Sequence, residues 1–150
     1  MLFEASTHSA AVLAQAPAEH IEALRTYGDN LGIAFQLVDD LLDYRGDAET
    51  LGKNVGDDLA EGKPTLPLIV TMRDGTPEQA AVVRKAIQKG GIEDLAQISA
   101  AVEACGALDY TAKLAQEYAN RAIACLDAIP ASEYRNAMIE LAQFAVARTQ

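Results

Sequence analysis

The sequence predicts an all-α protein, and three observations carry that prediction. Alanine, the strongest helix former, supplies 29 of the 150 residues, with Leu, Glu and Gln abundant beside it. β-Branched and aromatic residues never alternate with polar ones for more than a few positions, so no strand pattern competes. Gly and Pro fall where they cut the chain into helix-sized pieces. Half of the residues are hydrophobic, enough for a sizeable core, and the length suits one domain spanning residues 1–150.

In chain order, Pro17 opens a helix at its first turn, where its fixed φ and missing amide do no harm. Gly46 to Gly62 is a polar loop region with four glycines, after which Pro64 and Pro67 start the next helix and Asp74-Gly75 ends it. Thr76-Pro77-Glu78 signals the start of a short helix running to about Lys89, stopped by Gly90-Gly91. A long helical tract follows over 92–129, interrupted at Gly106 by either a kink or a boundary and closed by Pro130. Ser132 and Glu133 open a last helix to about Arg148.

Charge narrows the function classes. Twenty-two acids against 12 bases leave a formal charge of −10, and no Lys/Arg patch offers itself to a phosphate backbone, so nucleic-acid binding is disfavoured. Cys105 and Cys125 stand 20 residues apart in no C-x-x-C pattern and read as buried thiols. Met1 to Leu13 lacks the basic and apolar regions of a secretory signal, and no apolar run approaches about 18 residues. The expectation is a soluble, cytoplasmic protein with no transmembrane segment.

Leu31 to Tyr44, LGIAFQLVDDLLDY, sorts into two faces at about 100° per residue. With Gln36 at zero, Asp40 falls near roughly +40°, Asp43 near −20° and Asp39 near −60°, an arc of about 100°. Leu31, Ala34, Leu37, Val38, Leu41 and Leu42 take the opposite side. Like charges at i,i+4 repel by a few tenths of a kcal/mol, so the acidic face is either simply solvated or neutralised by a cation. Oxygen ligands without His or thiolate point to Mg²⁺, which takes one or two carboxylates plus waters and phosphate oxygens. The following stretch, LGKNVGDDLAEGKPTLP from Leu51 to Pro67, brackets Asp57 and Asp58 with Lys53 and Lys63. These lysines serve either loop solubility or an anion shared with the metal, for which a diphosphate is the natural candidate.

Phe35 to Tyr44 (FQLVDDLLDY), followed by Leu51 to Asp58 (LGKNVGDD) and Glu61 to Pro67 (EGKPTLP), resembles the second aspartate-rich region of the trans-polyprenyl diphosphate synthases, most of all that of octaprenyl-forming bacterial members. Gly75-Thr76-Pro77-Glu78-Gln79-Ala80, the C-terminal helices and Leu2-Phe3-Glu4-Ala5 have counterparts there too, so the resemblance covers essentially the whole chain. It implies an isoprenoid-synthase-type helical bundle. It also implies a Mg²⁺-dependent prenyltransferase that condenses isopentenyl diphosphate with an allylic diphosphate, for isoprenoid quinone side chains. Members of that family are considerably longer, and their first aspartate-rich motif and Lys-Thr pair have no counterpart in these 150 residues. The expectation is therefore the C-terminal half of the fold, carrying one half-site, turning over poorly alone and acting with a complementary N-terminal half or as a homo-oligomer.

Residue by residue, the resemblance implies that Asp39, Asp40 and Asp43 hold Mg²⁺ against the allylic diphosphate, with Asp39 a direct ligand. Gln36 would face the substrate or stand behind the ligands. Lys53 would contact the diphosphate, Lys63 would lie close to it, and Asp57 and Asp58 would orient these groups or their waters. Asp39, Asp40 and Lys53 form the implied catalytic set. Phe35 is either at the mouth of the site or a plain core aromatic. The competing reading is a noncatalytic helical module that assembles with another protein through exposed apolar faces. A class I terpene cyclase would need an Asn/Ser/Glu metal motif that these residues lack.

The remaining features have plainer readings. His8 and His20 are surface or core histidines, and Arg84, Lys85 and Lys89 form a solvated basic cluster. Ala10, Ala11, Ala14 and Ala18 either line a chain-binding tunnel or pack helices closely. Tyr110, Tyr118, Tyr134 and Phe144 are spaced as core or interface anchors.

Overall fold

Helix propensity and the placement of breakers account for nearly all of the local structure. The computed structural model describes residues 2–45, 57–89 and 95–147. In order they form α1 (Leu2–Leu13), α2 (Ala18–Arg45), α3 (Asp57–Ala60), α4 (Leu66–Asp74), α5 (Pro77–Lys89), α6 (Leu95–Ala104), α7 (Ala107–Cys125), a 3-10 turn (Leu126–Ala128) and α8 (Glu133–Ala147). No strand occurs among the described residues, so the all-α expectation holds. No described helix is long and apolar enough to cross a membrane.

The helix ends show why the boundaries fall where they do. The carbonyl of Pro17 accepts the Ile21 amide at 3.0 Å, starting α2. Thr76 and Gln79 close a reciprocal capping box on α5: the Thr76 amide donates to Gln79 Oε1 at 2.8 Å and the Gln79 amide to Thr76 Oγ1 at 3.3 Å. Gly106 is a boundary rather than a kink, because its φ of +74° lies in the left-handed region that ends α6 before α7 begins. Of the tract expected over 92–129, the described part from Leu95 onward is accordingly two helices and a 3-10 turn. Ser132 Oγ accepts the Arg135 amide at 3.1 Å at the start of α8. Gly90-Gly91 and Arg148 lie outside the described residues.

The chain packs as two compact units, one from residues 1–38 and 114–150 and the other from 39–113. In the first, Tyr27, Leu31, Ala122, Leu126, Ala142 and Ala145 form the core, with Phe3, Leu24, Met138 and Ile139 packed on it. The Tyr27 hydroxyl donates to the Met138 carbonyl at 2.8 Å, which satisfies a polar tip inside an apolar core. Gly28 lets α1 and α2 touch: a Cβ there would stand 2.7 Å from the Phe3 carbonyl oxygen. In the second unit, Leu41, Leu59, Leu68, Val70, Val83, Ala86, Ile98, Val102, Ala107 and Leu108 form the core. Thr71 and Thr111 are fully buried in it and donate to the Pro67 and Ala107 carbonyls, each at 2.8 Å.

Several side chains lie elsewhere than the sequence suggested. Of the core and interface readings for the aromatics, exposure of Tyr134 and Phe144 on α8 excludes the core one for them, and Tyr110 and Tyr118 carry Arg73 and Arg121 over their rings. Of the small-residue tract, only Ala11 is buried. Cys105 and Cys125 are half-buried free thiols.

Candidate functional site

The C-terminal half of α2 behaves differently from an acidic face turned to water. Leu37, Val38 and Leu41 are buried as the angular pattern requires, but Asp40 and Asp43 are buried too, at 7% and 8% exposure. Asp39 is half-buried, while Gln36 and Phe35 are exposed. Phe35 is thus not a plain core aromatic; its ring leans on Phe3 with centroids 5.3 Å apart. Burying two carboxylates is costly without compensating polar contacts, which removes the simply solvated reading of this face.

Part of the compensation comes from a distant segment. The Leu66 amide, at the first residue of α4, donates to Asp40 Oδ2 at 3.2 Å. Thr65 occupies the N-cap position of α4 without making a side-chain cap bond, so the aspartate of α2 serves the helix end in its place. Upstream, Gly62 has φ +71° and closes α3 with a Schellman pair, Lys63 N–H to Asp58 O at 2.9 Å and Gly62 N–H to Leu59 O at 2.9 Å. This turn sets Lys63, whose Nζ lies 2.8 Å from both Asp58 Oδ1 and Glu61 Oε2. Asp58 chiefly, and then Glu61, hold the lysine above its usual pKa range. Tyr44 stands among these acids. Its hydroxyl is pushed up to about 12, first by burial and then by the Asp43, Asp40 and Asp58 charges.

The structure therefore brings Asp40, Asp43, Asp58 and Lys63 into one neighbourhood in the second unit. Lys53 lies outside the described residues, and Asp57 is the first residue of α3. Glu61, Tyr44 and the Leu66 amide were not read from the sequence. The Glu61-Gly62-Lys63 spacing was the available signal for the first, whereas the Leu66 contact spans 26 positions and has no sequence signature. Among the described residues, no three acidic, histidine or cysteine side chains converge closely enough to hold a metal ion by themselves. A cation held by these carboxylates would therefore need further oxygen ligands, such as water or phosphate.

Two other hollows lie in this unit. One of about 210 Å³ is lined by Tyr44, Arg45, Glu103, Gly106, Leu108 and Asp109, and Arg45 pairs with Asp109 there at 3.0 Å. The other, of about 230 Å³, lies between α5 and α6 and includes Glu78, Gln79, Val82 and Gln97. Neither contains an expected site residue.

Comparison with known proteins gives this geometry a family. A family model described as Polyprenyl synthetase matches residues 1–105. The chain is 51% identical over 148 residues to an octaprenyl diphosphate synthase of Escherichia coli (strain K12), covering 98% of this chain and 46% of that protein. It is 49% identical over 149 residues to an all-trans-nonaprenyl-diphosphate synthase (geranyl-diphosphate specific) of Rhodobacter capsulatus, covering 99% and 46%. A crystal structure of a polyprenyl synthase from Caulobacter crescentus CB15, complexed with calcium and isoprenyl diphosphate, superposes with a TM-score of 0.89 at 46% identity, covering 99% of this chain and 46% of that one. The chain spans about half the length of the curated relatives it matches.

Proposed function

The chain belongs to the polyprenyl synthetase family, and from that premise we propose that it carries the allylic-diphosphate half-site of a trans-prenyltransferase. The reaction is the condensation of isopentenyl diphosphate with an allylic diphosphate, and the product is an octaprenyl or similar long-chain diphosphate for isoprenoid quinone side chains. The observation that carries this reading is the burial of Asp40 and Asp43 beside a tied-down loop that presents Lys63. Bare carboxylates repel a diphosphate, so acids and substrate share a site only through a cation.

Asp39, Asp40 and Asp43 would hold that cation, which we propose to be Mg²⁺; the calcium bound by the Caulobacter relative supports a divalent ion. Bound there, it would supply positive charge to the departing diphosphate. Lys63 and Lys53 would meet the same oxygens as point charges. Lys63 would give up its bond to the exposed Glu61 for diphosphate at little cost, since an exposed pair contributes little, while Asp58, at 18% exposure, would keep it in place. By the same resemblance, Phe35 would lie toward the substrate, Gln36 would face it or stand behind the ligands, and Asp57 and Asp58 would orient these groups or their waters. The partner is a complementary N-terminal half or a second copy, and the setting is the cytoplasm. Family membership favours this enzyme over a noncatalytic assembly module.

Calorimetric titration of the chain with inorganic diphosphate tests the reading. Binding is expected with Mg²⁺, absent without it, and weakened at least about tenfold by Asp39→Ala, the scale of one lost charge-assisted contact. Metal-independent binding, or none, would sink it.

A further inference from the structure

Resting on that diphosphate site, we infer that Asp40 does more than hold a cation, being also the positioning residue that sets where Lys63 stands. Lys63 is held locally by neighbours in sequence, its amide on Asp58 and its ammonium on Asp58 and Glu61. Such local bonds fix the shape of the turn but not its place against α2. Leu59, Leu66 and Leu68 pack with Leu41 of α2 in one core, and the Leu66 amide on Asp40 Oδ2 at 3.2 Å adds the directional contact that fixes the turn's exact place.

The link between Leu66 and Lys63 is short and stiff. Pro64 presets its own φ, and the Thr65 amide folds back onto the Lys63 carbonyl at 3.0 Å. A displacement of Leu66 is therefore passed to Lys63 instead of being absorbed between them. Thr65 is itself buried, which leaves the segment little room to rearrange. Because Thr65 provides no side-chain cap, the carboxylate at the N-terminus of α4 is also favoured by the helix dipole. Asp40 thereby couples two cationic partners of one anion: an oxygen to steady the lysine-bearing loop and a charge for the metal.

The test is the cost of Lys63→Ala for Mg²⁺-dependent binding of inorganic diphosphate, measured in four backgrounds whose helicity is checked by circular dichroism. In the wild-type chain the substitution is expected to weaken binding about tenfold, the scale of one charge-assisted contact. In Asp40→Asn, whose amide oxygen still accepts the Leu66 N–H, the tenfold cost should persist even though overall affinity falls. In Asp40→Ala, with the tether gone, it should shrink to about twofold or less, as positions acting through one another are non-additive. Leu66→Pro keeps the Asp40 carboxylate but removes the donated N–H at a helix-start position that tolerates proline, and should behave like Asp40→Ala. It serves equally if Asp40→Ala does not fold. An undiminished Lys63→Ala cost in the background lacking the tether overturns the positioning role alone. Absence of Mg²⁺-dependent binding by the wild-type chain overturns the diphosphate site and this inference together.

Discussion

In the unit of residues 1–38 and 114–150, the most deeply buried side chains are Tyr27, Val38, Leu126 and a field of alanines at 34, 115, 119, 122 and 142. In the unit of residues 39–113 they are mainly Leu41, Leu59, Leu68, Val70, Val83, Ile98 and Val102, with Thr71, Thr111 and Ala107 among them. Small residues let helix backbones approach until carbonyl and Cα atoms touch, as at Gly28, and such a core suffers when a side chain grows. Branched aliphatics make a core from side-chain volume, and that core suffers when volume is removed. The polar load differs as well. The alanine-rich unit buries one tyrosine whose hydroxyl is satisfied, whereas the aliphatic unit buries Asp40 and Asp43, the groups that serve the proposed chemistry.

The sharpest way to break this contrast is Leu68→Ala in the aliphatic core, expected to cost about 2–5 kcal/mol through lost burial and a residual cavity. Urea unfolding checks it. Next comes Gly28→Ala, which adds one methyl in the other unit and is expected to cost about 1–3 kcal/mol because the Phe3 carbonyl and Glu4 Cα must move. If Gly28→Ala were neutral, the close approach of α1 and α2 would not be limiting.

Tyr27 sharpens the comparison through pH. Burial pushes its pKa up to about 12, so the folded state favours the neutral phenol. Its contribution is fully present below the ordinary tyrosine value of about 10 and is lost as pH rises through about 12. Tyr27→Phe should cost about 1 kcal/mol at neutral pH through the missing bond to Met138 and should flatten the alkaline decline in stability. Tyr44 titrates in the same window, so the flattening is partial.

The smallest effect compares two helix ends. Gln15 closes α1 with the same backbone pair that Gly62 makes on α3, Ala16 N–H to Ala11 O at 3.1 Å and Gln15 N–H to Val12 O at 3.0 Å, but with a side chain at φ +52°. Gln15→Gly should stabilise the chain by about 0.5–1 kcal/mol, since a left-handed L-residue is strained and glycine is not. A thermal scan reads it.

Much of this organisation was legible locally. The Thr76–Gln79 capping box, the start at Pro17 and the stop at Gly75 depend on residues within one helical turn of each other, so sequence spacing exposes them. The three aspartates on one arc were legible for the same reason. Gly106 was only half legible, because a kink and a boundary share the same residue until φ is known.

What the sequence alone determined is the all-α class, most helix boundaries, the aspartate face of α2 and the resemblance that led to the family. Each of these is written in spacings of a few residues or in a contiguous run. Tertiary structure alone decided that Asp40 and Asp43 are buried while Gln36, on the same arc, is exposed, and that Tyr134 and Phe144 face outward. It alone joined Asp40 to Leu66. Burial and long-range hydrogen bonds depend on what packs opposite a face, and that partner comes from segments whose distance in sequence carries no periodic mark.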